Sequence, residues 1–359
     1  MKNLGLDVNV RKQILPWLLW VSPLFFAGCT MFGQKGNMVL IRDPGNRMYN
    51  PPVNVAETAT SSWEYAVLSE NVYLGEWKAP TNPSSEQPTQ AITPKVTDEN
   101  DGSKQRHPLP LTGWQQWSNF PWDDLINEAR ETGLYFEVWE KESSPPVIAV
   151  VFRGTEASWL DWKSNLRWFL RFIPFYPDQY TVVAQKVGKK FIERLGRMKL
   201  EAQGEDRTEV TIIATGHSLG GGLAQHFAYS LPGRTSEGTE LPRVSQIYAF
   251  NPSPVTGWFS VDDTEQRDIN AKELKIDRIF EHGEILAYIR LLLSYVYPPP
   301  DRDPSVREVR YNFVESWNPF ASHSMRQLAC KLSQGAKPTE GSTEVSCQCF
   351  PQKCESNGK

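Results

Sequence analysis

Apolar positions along the chain change period several times, and each change marks an element. The runs "LYFEVWEK" (134–141) and "PVIAVVFRG" (146–154) are rich in branched and aromatic residues and flank a Ser-Ser-Pro-Pro turn, which predicts two strands. In "TVVAQKVGKKFIERLGRMKLEA", Val183, Val187, Phe191 and Leu195 recur every four residues, the stripe of an amphipathic helix. Next come a strand in "EVTIIATG", ending at Ala214, a helix in "LGGGLAQHFAYSL", and strands in "VSQIYAF", "LKIDRIF" and "EVRYNFV". Upstream, "ETATSSWEYAVLSENVYL" places Trp63, Ala66, Val67 and Val72 on a helical pattern with Ser and Thr available as caps, predicting a helix over about 60–71. Strands alternating with helices define an α/β domain over 57–330, with a mostly parallel central sheet flanked by helices and ligands held at the carboxyl ends of the strands. No internal repeat is present.

Three stretches lack this patterning. Residues 29–56 are rich in Gly, Asn and Pro and suit a tether. Residues from about 79 to 110 hold mainly Pro, Ser, Thr, Gln and charge, the composition of a disordered insertion. Residues 331–359 form a cysteine-containing tail. Before the tether, a basic start leads into "ILPWLLWVSPLFFAG" and Cys29. That apolar run is shorter than the roughly 20 residues of a spanning helix, and Pro16 and Pro23 interrupt it, so residues 1–28 read as a signal segment. "FAGC", Phe26 to Cys29, resembles the lipobox of a bacterial lipoprotein, with Phe26 where Leu is usual. The resemblance implies lipidation of Cys29, export, and anchoring at a membrane surface of a bacterial envelope.

Composition narrows the function classes. At 359 residues, 40% hydrophobic and 22% charged, the chain is globular in character. Its formal charge is -4, and -6 once the first 28 residues, with Lys2, Arg11 and Lys12 against Asp7, are set aside. An acidic balance without a basic cluster gives no electrostatic case for nucleic acid. Cys29 is the odd cysteine among five; Cys330, Cys347, Cys349 and Cys354 make an even set that predicts two disulfides of undetermined connectivity in an exported chain. The tail offers too few thiolates and no nearby histidine for a metal site, and no nucleotide loop or cofactor lysine is present, so no cofactor is expected.

The candidate chemistry lies at "IIATGHSLGGGLAQHF" (212–227), where a strand, a Gly-rich turn and a helix follow one another. Gly216-His217-Ser218-Leu219-Gly220 fits the G-x-S-x-G nucleophile elbow, in which glycines allow a tight turn that lifts the serine hydroxyl above the sheet. Of the five histidines, His107 precedes the nucleophile, whereas the hydrolase order is serine, acid, histidine. His217 is expected to face away from the site and His226 sits two turns into the helix, which leaves His282 and His323.

"GHSLGG" after a strand resembles the class 3 lipases, the fungal-lipase-like branch of the α/β-hydrolases. "VVFRGT" (150–155) is similar to that family's F-R-G-[ST] oxyanion loop and lies in the family's order. The resemblance covers roughly 60–330 and implies an α/β-hydrolase fold and a serine hydrolase cleaving lipid esters, with Ser218 as nucleophile. "SHSM" (322–325), just before a terminal helix, looks like the family's histidine motif and implies His323 as base. The family's acid position falls on Glu284 in "RIFEHGEILAYI", a Glu where an Asp is usual, with Asp277 and Glu281 as alternatives inside the strand. The oxyanion would be held by the backbone N–H groups of Thr155 and Leu219, with the Thr155 hydroxyl offering a third donor.

Eight aromatics between Trp159 and Tyr180, with Arg167 and Arg171, suit either core packing or a lid facing lipid, and "ILAYIRLLLSYVYPPP" (285–300) suits an acyl pocket. The expected substrate is therefore a lipid or other acyl ester. An esterase or thioesterase for soluble acyl compounds, and a lipid-binding lipoprotein with an impaired triad, are the competing readings.

Overall fold

A computed structural model of the chain describes residues 36–52, 55–77, 107–118, 120–154, 178–201, 210–234, 240–284, 286, 290, 298–313, 319, 321–336 and 349. The chain divides into two units, residues 1–36 and 37–359, and the fold is that of the second. Among the described residues eight strands form one sheet: β1 (Met38–Arg42), β2 (Trp114–Gln116), β3 (Phe136–Lys141), β4 (Val147–Phe152), β5 (Thr211–His217), β6 (Val244–Phe250), β7 (Lys275–Glu281) and β8 (Ser305–Tyr311). Their spatial order is β1-β8-β7-β6-β5-β4-β3-β2. Strands β4 through β8 pair in parallel, with Phe152 opposite Gly216, His217 opposite Phe250 and Phe250 opposite Ile279. The edges turn antiparallel, β3 and β2 on one side and β1 on the other.

The central strands read as near-continuous apolar runs because both faces are covered. One face carries α3 (Asp178–Val182), a π-helical turn (Val183–Val187), α4 (Gly188–Glu201), α5 (Leu219–Ser230) and α6 (Thr264–Ala271). Val183, Val187, Phe191 and Leu195, the stripe predicted from spacing, are buried there against Phe152, Ile212 and Phe227. A shorter helix, α2 (Asp123–Thr132), buries Leu125 and Ala129 in the same core. The opposite face is covered by α1 (Val55–Asn71) and α7 (Met325–Gly335), with Trp63, Val67, Leu328 and Leu332 packed on Val151, Ile213 and Phe250. A mostly parallel sheet between two helical layers, with these connections, is the α/β-hydrolase arrangement.

Helix α1 begins at Val55, five residues before the pattern predicted, because its first two turns, Val55 to Ser61, hold mostly small and polar residues and lack the large apolar side chains that mark the later turns. From Ser62 to Glu70 all but one of its residues are buried, polar ones included. The polar groups are satisfied: Ser69 Oγ lies 3.0 Å from Thr215 Oγ1, which donates to the Tyr248 carbonyl at 2.8 Å, tying the helix to the centre of the sheet.

Three expectations from composition are corrected. The tether over 29–56 does not extend so far as an unpaired segment, since Met38–Arg42 is a sheet strand registered on β8 and buries Val39 and Arg42. "MVLIR" is a short strand-forming run hidden among Gly, Asn and Pro. The insertion expected to about 110 ends before Leu109, which is buried and clamped by Asn71: Asn71 Nδ2 donates to its carbonyl at 2.7 Å and Leu109 N donates to Asn71 Oδ1 at 2.8 Å. The tail begins after Gly335, because α7 continues past 330 to bury Leu332 and Ser333. Cys330 is joined to Cys349, with Cα atoms 5.7 Å apart. Cys29, Cys347, Cys354, residues 1–28, all of 79–106, and most of the aromatic stretch and of 285–297 lie outside the described residues. Among the described residues no helix is long and apolar enough to cross a membrane.

Candidate active site

Ser218 alone forms the turn between β5 and α5, with φ 56° and ψ -121°. A non-glycine residue takes positive φ only where its surroundings hold it there. Here the backbone does so: Ser218 N donates to the Phe250 carbonyl at 2.9 Å, and the Ser218 carbonyl accepts from Ser253 N at 2.8 Å and Gly221 N at 3.1 Å. The flanking glycines are needed for close approach. A methyl group on Gly216 would lie 2.5 Å from the Gly220 carbonyl, and one on Gly220 would run into the Phe152 carbonyl of the adjacent strand. The G-x-S-x-G spacing is thus a packing requirement that leaves the serine at the carboxyl end of β5.

The loop after β4 meets the same point. A methyl group on Gly154 would lie 2.5 Å from the His217 carbonyl oxygen, 2.5 Å from Tyr73 Oη and 3.2 Å from Ser218 Cβ. The "FRG" segment therefore passes directly over the elbow; Thr155, the next residue, lies outside the described residues. Leu219 opens α5 and is buried.

Glu284 follows the end of β7 through a turn in which Gly283 takes φ 74°. Its carboxylate is wholly buried. Oε2 lies 2.7 Å from His323 Nδ1 and accepts from Leu286 N at 2.9 Å, and Oε1 accepts from Arg290 Nη2. Burial alone would raise the carboxyl pKa, but the Arg290 charge and the His323 hydrogen bond outweigh it and hold Glu284 below the usual carboxylate range. An ionised carboxylate only accepts, so Nδ1 of His323 carries the proton of this bond and Nε2 is left as the basic nitrogen.

His323 ends a 3-10 turn, Ala321–His323, before α7, which Ser324 caps by accepting from Gln327 N at 3.4 Å. Its side chain is 17% exposed while that of Glu284 is 0% exposed, so the imidazole faces outward from a buried acid.

Of the predicted site residues, the structure brings Ser218, Leu219, Glu284 and His323 to one end of the sheet. The alternatives go elsewhere. Asp277 is inside β7 and paired with Arg307 of β8, and Glu281 is the last residue of β7, its N–H donating to Asn251 Oδ1 at 3.1 Å. His282 donates its backbone N–H to the Tyr311 carbonyl at 2.6 Å, His107 is exposed, and His226 is buried within α5 with Nε2 2.9 Å from the Tyr180 carbonyl.

His217 departs from expectation. Its ring does not turn away from the site but lies against His323, centroids 4.8 Å apart, with Nε2 2.9 Å from the His323 carbonyl. A carbonyl only accepts, so Nε2 carries the proton and Nδ1 accepts from Tyr73 Oη at 2.8 Å. Tyr73, just past α1, and Arg290 were not singled out from sequence. Tyr73 is 144 residues from His217, and no local pattern links them.

Residues 149–259 match the model of the family Lipase (class 3). That span contains the end of β4, the elbow and β6, and it stops before Glu284 and His323. The match supports a lipid ester hydrolase in general terms. No curated protein matches the chain. Among the described residues no group of three or more His, Cys, Asp and Glu is arranged to hold a metal ion.

Proposed function

We propose that the protein is a serine hydrolase that cleaves carboxylic esters of lipids, of the triacylglycerol lipase or phospholipase type, through an acyl-enzyme on Ser218. The observation that supports this most is the meeting of a strained Ser218 elbow with a His323–Glu284 pair bonded at 2.7 Å at the same end of the sheet. His323 Nε2 takes the Ser218 proton as Oγ attacks the ester carbonyl, and returns it to the leaving alcohol. The same base then activates the water that resolves the acyl-enzyme. Glu284 holds the imidazole tautomer and balances the imidazolium. The backbone N–H groups of Leu219 and Thr155 receive the oxyanion, and losing one such donor costs on the order of 100 to 1,000-fold in turnover. Cys29 carries a lipid anchor that keeps the exported enzyme at a membrane surface beside its substrate.

The test is Ser218→Ala beside the wild type on triglyceride, phospholipid and short-chain esters, with a serine-directed phosphonate probe. Loss of hydrolysis and of labelling in a folded variant is expected. Full residual activity overturns the nucleophile, and a wild type that hydrolyses soluble esters alone replaces the lipid substrate with a soluble one.

A further inference from the structure

The arginine that meets the acid has no part in the mechanism above. Arg290 is 3% exposed and is held on three sides. Nη2 donates to Glu284 Oε1, Nη1 donates to the Pro252 carbonyl at 2.7 Å, and the guanidinium lies over the Phe280 ring, 4.7 Å from its centroid. Pro252 belongs to the loop after β6 that backs the elbow: its neighbour Ser253 donates to the Ser218 carbonyl, and Pro252 itself stands against Gly221. One side chain therefore connects the acid to the segment that holds the nucleophile turn.

Glu has one more rotatable bond than Asp, so a glutamate serving as the acid needs more to fix its carboxylate. Leu286 N and His323 fix one oxygen, and Arg290 fixes the other. A guanidinium suits this because it is permanently charged and presents several donors in a rigid plane, so it satisfies carboxylate and carbonyl together. We propose that Arg290 is the positioning residue of the Glu284–His323 pair, locking the carboxylate rotamer and joining acid, base and nucleophile turn into one rigid unit.

The charged groups around it are consistent with that duty. Glu308 of β8 and Arg278 of β7 lie near Arg290, but they form their own contact at 3.7 Å, and Arg278 also donates to Gln225 Oε1 at 3.0 Å. Glu284 is thus the carboxylate that Arg290 bonds directly.

The inference rests on the hydrolase reading, and a double-mutant cycle tests it. Arg290→Gln is expected to lower kcat about 10 to 100-fold with KM unchanged, as for a change made to the transition state alone. In the Glu284→Gln background the same substitution is expected to cost nothing further, because its target is already neutral. Equal losses in both backgrounds, or a loss in KM alone, would overturn the proposal and leave Arg290 a structural residue. Should Arg290→Gln fail to fold because a buried carboxylate is left unpaired, Arg290→Lys takes its place in both arms: a several-fold kcat loss with Glu284 present and none in the Glu284→Gln background is expected, and equal losses overturn the proposal. The downfield proton NMR resonance of the His323 Nδ1–H is read in parallel and needs no turnover. It should be sharp in the wild type and in Ser218→Ala, and shifted or broadened in the Arg290 variant. An unchanged resonance in the Arg290 variant overturns the positioning role, whereas hydrolysis persisting in Ser218→Ala overturns only the assignment of Ser218 as nucleophile, and a wild type that hydrolyses no ester overturns only the hydrolase reading.

Discussion

Tyr73 and His217 lead by two hydrogen bonds to His323, the proposed base. The Tyr73 hydroxyl bonds His217 Nδ1 at 2.8 Å, and His217 Nε2 bonds the His323 carbonyl at 2.9 Å, so the backbone of His323 is pinned to the elbow. Tyr73→Phe removes a partly buried hydrogen bond worth about 1 kcal/mol. It should lower kcat several-fold with little change in KM, measured with a short-chain ester. An unchanged kcat would make the contact one of packing alone. Gly154→Ala is a harsher change at the same place, because its methyl group would meet the His217 carbonyl oxygen at 2.5 Å, a backbone atom with no freedom to move aside. A loss of about 1 to 3 kcal/mol in urea unfolding is expected, the usual cost of overpacking. At this scale the sequence was legible where chemistry and spacing are local, as in the serine elbow. It was silent on Tyr73 and Arg290, whose partners are brought to them by distant segments.

Helix α5 carries both the opening of the elbow and a buried histidine. His226 is fully enclosed, and burial, partly offset by backbone hydrogen bonds, pushes its pKa down from 6.5 to about 4. The unfolded chain therefore binds more protons than the native state between these two values. The stabilisation from keeping His226 neutral is complete above pH 6.5 and is lost as pH falls towards 4, amounting to about 3 kcal/mol at the lower limit. Urea midpoints should fall across this window in the wild type, and the fall should be shallower in His226→Gln. Parallel slopes would assign the pH dependence to other groups. The helix itself is readable from sequence because apolar residues run all along it, whereas the start of α1 is obscured by the mostly small and polar residues of its first two turns. Strand β1 does not stand out in the sequence because five residues among Gly, Asn and Pro carry too little pattern, and their pairing partner is β8, some 260 residues away.

For the molecule as a whole, an early and a late segment of the chain meet on one face of the sheet. Helices α1 and α7 pack together there, and the Cys330–Cys349 bond fastens the tail to α7 across 19 residues. Closing a loop of that length stabilises a fold by about 3 kcal/mol through the entropy it removes from the unfolded chain. Cys349→Ser should lower the urea midpoint accordingly and leave turnover per folded molecule unchanged, and a loss of turnover would tie the tail to the site. The sequence by itself determined the α/β class, the parallel order of strand and helix, and the turn in which Ser218 sits, because these depend on periodicity and on glycines a few residues apart. Asp277, Glu281 and Glu284 share one acidic composition within eight residues, and His282 and His323 are alike as residues. Resemblance ranked these alternatives, but only the tertiary structure decided which of them meet. The depth of β7, the turn at Gly283 and the docking of α7 bring Glu284 and His323 within 2.7 Å of each other and enclose Arg290 behind them, and such distances arise from packing between elements that no local pattern records.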